Sequence, residues 1–146
     1  MRISIASDHG GYDLKEDLRS WLTGLGHEVE DFGCHSRESC DYADFAEPAA
    51  RAVAEGKCDR GIVICTTGIG ISITANKVRG IRCALCSEPV SASLTRHHND
   101  ANMLAMGAGM VGPMMAREIV TAFLTNDFDG GRHQRRVDKV MAVENR

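Results

Sequence analysis

The chain has 146 residues, 43% hydrophobic and 25% charged, which is enough for one compact core and too short for two ordinary domains. A formal net charge of -3 leaves no basic footprint for nucleic acid, and no apolar run approaches the ~20 residues that span a bilayer. Asp8 and His9 come before any secretory apolar core could form, so no signal peptide is expected and the chain reads as cytoplasmic.

Strand-like and helix-like runs alternate. ISIAS (3–7) is short, apolar and β-branched, and ends at Asp8-His9-Gly10-Gly11. In the next stretch Tyr12, Leu14, Leu18, Trp21 and Leu22 recur near a 3–4 spacing, which predicts a helix stopped by Gly24 and Gly26. HEVEDFG (27–33) predicts a second strand, 34–42 a polar loop, and 43–55 an Ala-rich helix closed by Gly56. RGIVIC (60–65) predicts a strongly buried strand, and Thr66-Thr67-Gly68-Ile69-Gly70 leads into a helix at about 71–78. GIRCALC (80–86) and NMLAMG (102–107) predict strands four and five around a helix at 88–97. Helices at 113–125 and after Gly130-Gly131 complete the chain. Five strands alternating with helices predict an open parallel α/β sheet covered on both faces, in a single domain over 1–146. Ligands of such sheets sit outside the carboxyl ends of the strands, at a switch in strand order. Asp8-His9, Cys65 to Gly70 and Ser87-Glu88 all follow strands.

Six cysteines are present, and without a secretory signal they are expected as free thiols. Cys83-x-x-Cys86 has the spacing of a redox or zinc motif. Residues three apart on a strand face opposite ways, so the two sulfurs should not meet.

The stretch Cys65-Thr66-Thr67-Gly68-Ile69-Gly70 carries the most chemistry. A cysteine just before a helix start lies in a field that favours the thiolate. The glycines let backbone N–H groups converge on an anion or a developing oxyanion. The alternative is a small buried hydrophobe ending a strand. An arginine six residues after the cysteine, as in phosphatase loops, is absent because that position is Ile71. A third glycine for G-x-G-x-x-G is absent at Ile73, and no Walker run exists. His97-His98-Asn99-Asp100 suits acid–base work, or else ends a solvated helix. Arg132 and Arg136 lie one turn apart in a run that puts four basic residues in five positions (132–136). Two guanidinium forks on one face suit a phosphate; pairing with surface acids is the alternative. Asp8 is a carboxylate at the ligand edge or a helix cap, and Tyr42 donates a hydroxyl or packs. Met103, Met106, Met110, Met114 and Met115 read as packing.

SDHGGYDLK, CDYADFA, GIVICTTGIGISITANKVRGIRCALCSEP, RHHNDANMLAMG and GGRHQRRV, in this order, resemble the type B ribose-5-phosphate isomerases. That family includes galactose- and allose-6-phosphate isomerase subunits. The resemblance runs nearly end to end. It implies a three-layer α/β/α sandwich with a five-stranded parallel Rossmann-like sheet. It also implies a homodimer (or a dimer of dimers), sites built from both subunits, a C-terminal helix (about 133–146) contributing to the dimer, and no metal or organic cofactor. By resemblance, Cys65 is the base that takes a proton from the carbon next to the carbonyl. Thr67 and the amides of Thr66, Gly68, Ile69 and Gly70 hold the enediolate. His98, with Asn99 beside it, assists ring opening from the partner subunit, and Asp8 moves protons at the hydroxyls. His9, Arg132 and Arg136, with His133 adjacent, form the phosphate grip, and Tyr42 lies in the substrate site.

Two positions depart from that pattern. Thr66 stands where many relatives have Gly. Gly109 stands where many have an arginine of the phosphate site, a contact worth ~1.5–3 kcal/mol. The expected substrate is ribose 5-phosphate, with a tetrose, another pentose or a hexose phosphate as the alternative. A subunit of a two-chain hexose-phosphate isomerase is disfavoured because Cys65 and His98 occur in one chain. A non-catalytic sugar-phosphate-binding module is the remaining class, and it would tolerate loss of Cys65.

Overall fold

The structure, a computed structural model, describes all 146 residues. Its spine is a pair of adjacent parallel strands, β1 (Arg2–Ser7) and β3 (Arg60–Cys65). Both are buried almost throughout, as parallel strands covered on two faces must be. The other strands are β2 (Glu28–Asp31), β4 (Cys83–Leu85) and β5 (Met103–Gly107), and the all-parallel order is β2-β1-β3-β5-β4. The chain steps from β1 outward to β2, then returns to the other side of β1 for β3. The switch point therefore lies between β1 and β3, where Ser7 pairs with Ile64.

Two hydrophobic clusters flank the sheet. Leu14, Leu18 and Leu22 of α1 (Tyr12–Gly24) recur every fourth residue and bury one helical stripe. They pack with Ala92 of α4 (Pro89–Asn99) and Ile119 and Phe123 of α5 (Pro113–Thr125). On the opposite face, Ala46, Ala49 and Ala50 of α2 (Tyr42–Ala54) and Ile71 and Ala75 of α3 (Ile69–Asn76) cover Val63, Cys65 and Ala105. This is a three-layer α/β/α sandwich, as expected. Cys86 belongs to the first cluster and Cys83 packs on the second, so the two thiols lie on opposite faces of the sheet. All six cysteines are free. Lys15, fully buried, reaches from α1 to both carboxylate oxygens of Asp31 at 2.8 Å.

Three elements differ from the sequence reading. Both edge strands are shorter than expected. At β4, the Asn102 side chain accepts from the Arg82 amide at 2.8 Å, so a side chain stands in for ladder pairing there. At β2, Gly33 takes φ 105 and breaks the regular extended backbone after Asp31, although residues 32–34 still exchange backbone hydrogen bonds with Ile5 and Ser7 of β1. Helix α3 starts two residues early because Gly68, in the left-handed region at φ 78, is its N-cap. The last helix, α6 (Arg132–Ala142), buries only Val137 and gives way to a short turn at Val143–Asn145.

Candidate active site

The carboxyl edge at the β1/β3 switch gathers one set of residues. Cys65 ends β3, and the Gly68 N–H donates to its Sγ at 3.1 Å. That hydrogen bond stabilises negative charge on the sulfur. Only glycine fits at 68. A Cβ there would stand 2.5 Å from Leu85 Cδ1 and 2.7 Å from the Met106 carbonyl carbon. Thr67 Oγ1 accepts from the Ile69 N–H at 3.2 Å. Gly70 and Ile71, in the first turn of α3, aim their N–H groups outward with no intrahelical acceptor. The Tyr42 ring lies against Gly70, where a Cβ would come within 2.5 Å of the ring. Gly10 allows the same close approach to Thr66, whose Oγ1 would be 2.2 Å from a Cβ at 10.

Asp8 is buried at this edge. Its Oδ1 accepts from the Gly11 N–H at 3.1 Å, capping the single turn His9–Gly11. His9 is exposed, and its Nδ1 accepts from the Cys40 N–H at 3.2 Å. Glu88 does not join this set. Its carboxylate accepts from the Ser91 N–H and caps α4.

A second set lies at the opposite edge. Helix α4 starts after β4 and runs back to the beginning of β5, so His98 and Asn99 sit near Met103. Cys65 pairs with Gly107 at the far end of β5. Four residue steps at ~3.3 Å place the two edges ~13 Å apart along the sheet. His98 and Asn99 line a groove of about 880 Å³ with Arg132, His133 and Arg136 of α6. The His98 and His133 rings stack, with centroids 4.6 Å apart and planes 13° from parallel. Burial, then the neighbouring His98 and Arg132, hold His133 below the ordinary histidine range.

The expected phosphate grip is thus divided within one chain: His9 stands at the Cys65 edge, while Arg132, His133 and Arg136 stand in the groove with His98. Sequence reasoning missed Asp129. Its Oδ1 lies 2.7 Å from His97 Nδ1, which holds the Asp129 carboxyl below the usual range and raises His97. Nothing in the local sequence marks that pair, since its members are 32 residues apart.

The sequence model of the ribose/galactose isomerases matches residues 3–140. A solved ribose-5-phosphate isomerase B of Clostridium thermocellum is 53% identical, with a TM-score of 0.98, covering 99% of this chain and 98% of that one. Ribose-5-phosphate isomerase B of Escherichia coli is 49% identical over 145 residues, 99% of this chain and 97% of its own. A ribose-5-phosphate isomerase B of Mycoplasma genitalium, solved with ribulose 5-phosphate bound, is 40% identical with a TM-score of 0.95, covering 99% of this chain and 96% of that one.

Proposed function

We propose a reaction for this chain from one premise: it belongs to the ribose/galactose isomerase family. The chain is an aldose–ketose isomerase of phosphorylated sugars, and ribose 5-phosphate and ribulose 5-phosphate are its pair. The single observation that carries the mechanism is the Gly68 N–H donated to Cys65 Sγ at 3.1 Å. A thiolate held beside unpaired amides suits proton abstraction next to a carbonyl. In that reading the Cys65 thiolate takes the C2 proton of the open-chain aldose. The electron pair moves toward the C1 oxygen, and the amides of the α3 first turn, with Thr67, hold the enediolate. Asp8 carries the hydroxyl proton from the C2 oxygen to the C1 oxygen. The Cys65 thiol then returns its proton to C1.

Ring opening and phosphate binding need His98, Asn99, Arg132, His133 and Arg136, which in one chain stand at the sheet edge opposite Cys65. A homodimer in which each site takes its two halves from different subunits removes that separation. Exposed Ile69, Ile73 and Leu85 around the α3/β4 edge, and exposed Val140 and Val143 on the C-terminal segment, supply apolar surface for it. A cytoplasmic location goes with this reading, and no helix is long and apolar enough to cross a membrane.

A second reading, another sugar phosphate as best substrate, is favoured by Gly109. The Gly109 N–H donates to the Thr66 carbonyl at 2.9 Å and the Ala108 N–H to the Cys65 carbonyl at 2.8 Å. Position 109 therefore lies directly on the loop of the proposed base, with no side chain to reach a phosphate. The Cys65→Ala variant tests the common mechanism. It should melt like the parent and bind ribulose 5-phosphate, with turnover reduced at least ~10²-fold. Full turnover would overturn Cys65 as the base and require another proton acceptor at this edge.

A further inference from the structure

We propose that His98, Asp129 and His133 form a site for a divalent transition-metal ion of the zinc type, and that the bound ion excludes sugar phosphate from the groove. The second half rests on the reading of His98 and His133 as substrate contacts. Each of the three residues offers one ligand atom, and these atoms all lie within 4.8 Å of one another. Two imidazoles and one carboxylate are a donor set for zinc, cobalt or nickel, whereas magnesium and calcium prefer oxygen alone. Bonds of ~2.0–2.1 Å at tetrahedral angles hold ligand atoms ~3.4 Å apart. The triangle must therefore contract by little more than ~1 Å, within the range of side-chain rotation.

The backbone already holds the three residues together. The Asp129 N–H donates to the His97 carbonyl at 3.1 Å, tying the carboxylate to the end of α4. Gly130 and Gly131, at φ 65 and 55, then turn the chain into α6, and the His133 N–H donates to the Gly130 carbonyl at 3.0 Å. The His97 ring engages Asp129 Oδ1 at 2.7 Å. It leaves the second carboxylate oxygen for an ion and supplies the outer hydrogen bond that ligating carboxylates ordinarily have. One rearrangement is required. Rings only 13° from parallel point their in-plane lone pairs side by side, so one imidazole must turn to converge on the ion, and the His98–His133 stack opens. Three protein ligands leave a fourth position for water. An ion held this way occupies the nitrogens of both histidines, which are then unavailable to a sugar phosphate.

Cobalt(II) titration of the intact protein without substrate, followed by calorimetry and visible absorption, tests the site. One ion per chain should bind, with weak visible bands typical of nitrogen and oxygen ligands. Asp129→Asn and His133→Gln should each weaken binding at least ~10-fold, and magnesium should not compete. Equal cobalt affinity in the parent and both variants would overturn the site. So would an intense thiolate charge-transfer band, which would put the ion on a cysteine. Steady-state kinetics test the consequence: zinc should raise KM without changing kcat, a chelator should reverse this, and Asp129→Asn should need at least ~10-fold more zinc. Cobalt binding that depends on Asp129 and His133, with no effect of zinc on KM, would leave the ion site standing and overturn the assignment of His98 and His133 to the substrate.

Discussion

Gly68 and Gly56 make a matched pair for separating backbone strain from crowding. Both occupy the left-handed region, at φ 78 and 75. A Cβ at Gly56 meets nothing within 4 Å, so Gly56→Ala should cost only the ~1–2 kcal/mol of placing an L side chain there. At Gly68 the same strain is joined by a Cβ 2.7 Å from the Met106 carbonyl carbon and 3.0 Å from the Gly107 nitrogen. Those atoms belong to the β5 backbone, where Met106 and Gly107 pair with Ile64 and Cys65 of β3 and have little room to step away. Overpacking of that kind adds ~1–3 kcal/mol. At ~2–4 °C per kcal/mol for a chain of this size, Gly68→Ala should melt ~2–12 °C below Gly56→Ala. The same displacement moves the amide off Cys65 Sγ. A hydrogen bond to a charged group is worth ~1.5–3 kcal/mol, which predicts a ~10- to 150-fold loss of kcat in Gly68→Ala and none in Gly56→Ala. Thermal unfolding by circular dichroism and an assay of ketose formation measure the two effects. Equal melting losses with full turnover in Gly68→Ala would refute both the crowding argument and the role of the amide.

Shared sites predict that mixing Cys65→Ala with His98→Asn chains restores up to about a quarter of activity after subunit exchange; no recovery despite demonstrated exchange counts against them. A Cβ at Gly109 would lie 3.0 Å from the Thr66 carbonyl oxygen, so Gly109→Arg must shift the loop by a few tenths of an ångström. It should change the ratio of kcat/KM between ribose 5-phosphate and another sugar phosphate by at least ~10-fold, which needs only ~1.4 kcal/mol; an unchanged panel means Gly109 is neutral. Lys15→Met leaves Asp31 without its 2.8 Å partner and should cost ~3 kcal/mol in denaturant unfolding; a loss below ~1 kcal/mol would show that Arg19, 3.7 Å from Asp31, suffices. Burial pushes the Cys58 and Cys86 thiols up to about 11, above the ~8.5 of an unfolded thiol. The folded chain then holds more protons than the unfolded one between those values, so the melting temperature should fall as pH rises through that window. Replacing both cysteines with Ala should flatten the slope, and an unaltered slope would exclude them as its source.

What the sequence made legible follows from how local each signal is. RGIVIC reads as β3 at its observed bounds because a central parallel strand is apolar on both faces and polar residues flank it. The edge strands have no such signature. At β4 a side-chain amide from residue 102 takes a ladder position, and no pattern within residues 80–86 encodes a partner 20 residues away. The Cys65 loop was legible for the same reason as β3, since thiol, glycine cap and first-turn donors are contiguous. His98, Arg132 and Arg136 were legible as candidates residue by residue, but the place of His98 within the fold was not read from the local pattern. That place depends on the direction of α4, which carries His98 away from the edge where α4 begins. Parallel topology makes this unavoidable: every helix that follows a strand must return to the amino edge before the next strand starts. A residue at the end of such a helix therefore stands at the edge opposite a thiol that ends a strand of the same chain. The proposal of sites shared between subunits rests on that strand direction rather than on any one contact.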